Sequence, residues 1–161
     1  MNAIALLVAV AAAACSDSGA SSPSCHVQVA GDTSETATLS AHCATLSPAG
    51  DGGAGYVLTV SAQTDHLSSL SITVPLGDPP SPGVYSSASL TDWSAVASVA
   101  GDSNCAYSAG TSSVPTGNLI LNLTSVEGGR AHGTLKATLY VHAPLFTDCG
   151  RSDAEEVAFA F

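Results

Sequence analysis

Between Asn118 and Ala143, apolar and polar residues change places at every second position. Leu119, Leu121 and Leu123 alternate with Asn118, Ile120, Asn122 and Thr124. After a glycine pair, Leu135, Ala137, Leu139 and Val141 alternate with Thr134, Lys136, Thr138, Tyr140 and His142. Period two sends successive side chains to opposite faces, so this stretch predicts two half-buried strands joined as a hairpin. A two-residue loop at Gly128-Gly129 would set inward leucines against outward threonines, because a one-residue slip exchanges the faces. A three-residue loop, Glu127-Gly128-Gly129 with Gly129 left-handed, instead opposes Leu121 to Leu135 and Leu119 to Ala137. The hairpin is therefore expected to carry a glycine bulge.

The same period recurs along the chain. Tyr56, Leu58, Val60 and Ala62 alternate, as do Leu70, Ile72 and Val74, around a loop holding Asp65 and His66. Val84-Tyr85 resumes a strand. Asp92 could cap a short helix, but Trp93, Ala95, Ala97 and Val99 also alternate, and a strand is preferred. Asn104 to Ala109 carries Cys105 and Tyr107, and Val157, Phe159 and Phe161 close the chain as a last strand. The glycine-rich loop from Ser47 to Gly55 runs into a strand, not into Lys-Ser and a helix, so it reads as a turn and not a phosphate cradle. Leu76 to Gly83 cannot pair in a sheet because its prolines lack donors. Pro144 to Ser152 is expected to be an irregular crossover, with Asp148 solvated and the Glu155-Glu156 pair an exposed strand start. These elements predict an all-β fold, an antiparallel β-sandwich of about 8–10 short strands, with a closed lipocalin-like barrel as the alternative.

A second hairpin is expected from Cys25-His26-Val27-Gln28-Val29 and Leu39-Ser40-Ala41-His42-Cys43. If Val29 opposes Leu39 and Val27 opposes Ala41, Cys25 falls opposite Cys43, within reach of a cross-strand disulfide. Cys105 with Cys149 then follows by elimination. Four cysteines nevertheless allow three connectivities. The same register makes His26 face His42 on the outward side. Two imidazoles alone do not complete a zinc site, and no further ligand stands at matching spacing, so no metal or cofactor is expected. His132 and His142 read likewise as exposed positions on a polar face.

Residues 1–14 are an apolar run ending in Ala12-Ala13-Ala14-Cys15. The apolar core is too short to span a bilayer, which takes roughly 20 residues, and has the length of a signal peptide. The Ala12-Ala13-Ala14-Cys15 segment resembles the lipobox of bacterial lipoproteins. That resemblance implies lipidation of Cys15, which becomes the first residue of the mature chain, anchored by acyl chains. Cysteine parity agrees: of five cysteines, a lipidated Cys15 leaves Cys25, Cys43, Cys105 and Cys149 for two disulfides in an oxidising compartment. Ser16, where aspartate would favour inner-membrane retention, implies the outer membrane of a Gram-negative bacterium. Residues 15–24 lack large apolar side chains and are expected to form a disordered tether, leaving 25–161 as one β-domain. Gly117-Asn118-Leu119-Ile120-Leu121 and Gly129 to Leu135 also loosely resemble the strand endings of small β-rich envelope lipoproteins.

A formal charge of −10, with only three Lys and Arg side chains, argues against nucleic acid as a partner. No nucleophile elbow, His-Glu-X-X-His or Ser-X-X-Lys motif is present, so no catalytic residue is expected. The expected function is a structural or protein-interaction module of the cell envelope, with membrane contact through the lipid and an envelope protein or glycan as partner. The alternative is a binding module for a small ligand, glycan or metal, its site on the loops at one end of the domain.

Overall fold

The computed structural model describes residues 25–31, 34–39, 43–50, 55–101, 105–113, 116–142 and 154–161. Among them run eleven strands: β1 Cys25–Ala30, β2 Ser34–Leu39, β3 Ala44–Pro48, β4 Tyr56–Ala62, β5 Leu67–Leu76, β6 Gly83–Ser86, β7 Ser94–Val99, β8 Ala106–Gly110, β9 Asn118–Glu127, β10 Arg130–His142 and β11 Ala154–Ala160. Every pairing between them is antiparallel. The all-β expectation holds, with strands slightly more numerous than the alternation alone predicts.

The strands form one curled sheet in the order β2-β1-β11-β10-β8-β7-β5-β4-β3, with β9 and β6 branching from β10. The branch exists because β10 is long enough to serve three neighbours. One edge pairs β11 from Thr134 to Tyr140; the other pairs β9 as far as Thr138 and then β8 from Tyr140 to His142. At the far end of the sheet, β3 comes back against β10. The curl encloses the inward half of each alternating strand, including Val27, Leu58, Leu70, Ile72, Ala95, Tyr107, Leu119, Leu121, Leu135, Leu139 and Phe159. Trp93 belongs to this set. Asp92 before it is left-handed, with φ 61°, which ends any helical turn and lets β7 continue the alternation as a strand.

The β9–β10 register is the expected one, Leu121 opposite Leu135 and Leu119 opposite Ala137. The device that produces it is different. Glu127 pairs with Arg130, so the loop is the two residues Gly128-Gly129, both left-handed at φ 57° and 78°, as a tight hairpin turn requires. The extra residue lies further in: His132 opposes Ser125 and Gly133 opposes Leu123, leaving Thr124 as a bulge. The bulge brings backbones so close that a Cβ at Gly133 would collide with the carbonyl oxygen of Asn122. The Thr124 hydroxyl donates to the His132 carbonyl at 2.9 Å. A second register shift, between Leu67 and Ser69, repeats the arrangement: Ser68 is the extra residue, its hydroxyl donates to the Ser98 carbonyl at 3.2 Å, and Leu67 and Leu70 both stay inward. In each case a hydroxyl residue supplies a local partner where the ladder is interrupted.

The first hairpin departs from expectation. Its turn closes early, Ala30 opposite Ser34, so that Val29 faces Glu35, Val27 faces Ala37 and Cys25 faces Leu39. The second strand thus ends at Leu39, where the sequence reading has it begin. Cys25 is nonetheless bonded to Cys43, with Cα atoms 5.8 Å apart. The bridge is not a cross-strand pair. Cys43 immediately precedes β3, whose place is the opposite end of the strand order from β2 and β1, and the curl returns that end to Cys25. Both cysteines are buried. In the loop-entropy account a bridge across 18 residues contributes about 3 kcal/mol. Replacing both Cys25 and Cys43 by alanine should lower the free energy of urea unfolding by that amount. A loss below about 1 kcal/mol would mean that packing alone holds the curl.

Candidate functional site

Outward positions on β9, β10, β11 and β1 lie in rows fixed by the pairing. One row runs Ser86, Ile120, Lys136, Ala158, Gln28, Thr36; the next runs Asn118, Thr138, Glu156, Ala30. Period two places small residues, Ala158 and Ala30, between longer side chains, and the sheet face is hollowed there. The result is a groove of about 290 Å³ whose lining includes Gln28, Asn118, Ile120, Lys136, Glu156 and Ala158. Lys136, one of three Lys and Arg residues in a chain of charge −10, stands in its middle. Ile120 remains 46% exposed, an apolar wall beside polar amides.

A second concavity, about 430 Å³, lies between β2 and the loop after β4, lined by Thr36, Ala37, Gln63, Thr64 and Asp65. The loop is pinned by its own bonds: the Leu67 amide donates to Thr64 Oγ1 at 3.0 Å, and the Thr64 amide to the Leu67 carbonyl at 2.9 Å. Its last residue, His66, turns inward, and Nε2 donates to Oε1 of Glu155 at 3.0 Å. Glu155 is 1% exposed, which overturns its reading as an exposed strand start; Glu156 alone is exposed. The reason is parity, since Glu155 shares the inward phase of Val157 and Phe159. That parity was visible in the sequence and would have found the residue. Glu155 Oε2 has no hydrogen-bond partner among the described residues and lies over Gly31, where a Cβ would collide with it.

The register expected to set His42 opposite His26 is not the one at His26. Thr38 opposes His26, and its hydroxyl lies 3.0 Å from His26 Nδ1, because the hairpin closes early; His42 lies outside the described residues. His132 is exposed, as expected. Among the described residues no group of three His, Cys, Asp or Glu side chains is placed to hold a metal. Cys105 is buried and disulfide-bonded, while Cys149 and Cys15 lie outside the described residues, as do 144–152 and Asp148. The groove escaped the sequence reading because hollowness depends on which strands are neighbours, and β11 between β1 and β10 joins residues from both ends of the chain. Comparison with protein-family models, with curated proteins and with solved structures returns no match to this chain.

Proposed function

We propose that the chain is an exported lipoprotein, anchored through acyl chains on Cys15, whose β-domain acts as an interaction module of the cell envelope without catalysis. The observation that carries the reading is the groove: a recess on a solvent-facing sheet, lined by one cation, Lys136, and one carboxylate, Glu156, and available to a partner while the core behind it is complete. Ser16 supports the outer membrane as the site of anchoring. In finer detail, we take the two arms that meet at β10 to pack as a sandwich, and Cys105 to be bonded to Cys149. Binding of a small ligand is the second reading, favoured by the groove's volume, near the lower end of ordinary ligand sites.

The test is the mass of the native protein extracted gently from membranes, before and after reduction, together with photo-cross-linking from position 138 in intact envelopes. A species beginning at Cys15, carrying acyl chains and gaining four hydrogens on reduction, is the expected result, with one discrete cross-linked partner. A chain without lipid overturns the anchor. Cross-linking no different from that of a probe at Val96, which is exposed on β7, overturns the interaction face.

A further inference from the structure

We infer that the groove takes a zwitterionic ligand of dipeptide size, with its carboxylate on Lys136 and its ammonium on Glu156. The inference rests on reading the groove as the module's binding face.

Lys136 lies directly opposite Ala158, and Glu156 is the next outward residue along β11. They are therefore diagonal neighbours, and the backbone positions that carry them lie about 7–8 Å apart. Two residues of extended peptide span about 7 Å. Among the described residues neither Lys136 nor Glu156 is engaged in an ion pair, so both charges remain available to a ligand. A bound zwitterion gains a charge-assisted contact at each end, one from each of the two exposed side chains.

The strands on either side of the two charges add matching chemistry. Gln28, directly across from Ala158 on the β1 side, and Asn118, across from Thr138, offer amide donors and acceptors to a peptide group. Ala158 and Ala30 leave room over the strand for small side chains, and Ile120 supplies the apolar wall. Among the described residues no aromatic side chain lines the groove, so the structure offers no stacking platform of the kind a nucleobase would use. The net charge of −10 disfavours a polyanion, whereas a zwitterion meets no net repulsion.

Calorimetric titration of the purified full-length chain in detergent with L-alanyl-L-alanine is the test, with N-acetylated and C-amidated forms alongside. Saturable one-to-one binding is expected, weakened ~tenfold when either end is blocked. Lys136→Gln should abolish the preference for a free carboxylate, and Glu156→Gln the preference for a free ammonium. Ala158→Leu, an outward position that tolerates a larger side chain, should abolish binding and leave the circular dichroism and unfolding midpoint unchanged. Blocked and unblocked dipeptides binding equally would overturn the inference, as would no binding by a folded chain. If no dipeptide binds but Ala158→Leu removes the cross-link formed from position 138, the zwitterion fails and the interaction module stands. Loss of neither, with no binding, defeats both.

Discussion

Replacing His66 by alanine should lower the unfolding free energy by about 3–5 kcal/mol, an effect out of proportion to a residue in a short loop. The cause is its partner. Glu155 is buried within β11, with one carboxylate oxygen bonded to His66 and the other without a hydrogen-bond partner among the described residues. Removing the imidazole leaves the buried Glu155 carboxyl without its hydrogen-bond partner, so its desolvation is no longer offset. The same reasoning gives the double variant His66→Ala/Glu155→Leu a smaller loss than His66→Ala alone, since an apolar residue in Glu155's place has nothing to leave unpaired. A urea-unfolding cycle over the wild type, two single variants and the double variant measures the coupling. If His66→Ala costs under about 1 kcal/mol, the pair does not hold the carboxylate.

Trp93→Ala should cost about 3–5 kcal/mol, as loss of the largest buried side chain leaves a cavity that the surrounding strands fill only in part. Trp93→Phe should cost less, about 1–2 kcal/mol. It sacrifices volume but also removes an indole donor that is buried without a partner among the described residues. Trp93 is the only tryptophan, so the variants are followed by far-ultraviolet circular dichroism. Equal losses for the two substitutions would show that the indole ring is held by more than packing.

Legibility followed the strength of alternation. Leu119 to Leu123 and Leu135 to Leu139 fix faces and partners from sequence because a slipped register would expose a row of leucines. Trp93 to Val99 was legible for the same reason. The loop of that hairpin was not, because an odd residue can be absorbed either in the turn or at an internal bulge, and choosing between Gly129 and Gly133 requires knowing where backbones come close. The strand from Ser34 to Leu39 was displaced because Ser-Glu-Thr-Ala-Thr-Leu offers little apolar contrast and lies at the sheet edge, where one side has no neighbour to enforce a register. Glu155 was misread by residue type against phase. Within the disulfide, the partners were legible and the reason was not: local opposition suggested Cys43, whereas the return of a distant edge delivers it. Lys136 was visible as an outward cation, but Glu156, Ala158 and Gln28 became its neighbours only through pairings that span the chain.

The position of β11 has a consequence for how the molecule is made. Val27 pairs with Phe159, and Phe159 in turn with Leu135, so the first strand joins the body of the sheet through a segment synthesised after all the other described strands. Until residues 154–160 arrive, β1 and β10 each present an unsatisfied edge to whatever else is nearby. Contacts this remote in sequence form slowly, because the loop must close before they are gained. A nascent or shortened chain lacking that segment is thus a pair of sticky edges, and its safety depends on the cell's handling of unfinished polypeptide more than on the stability of the finished domain.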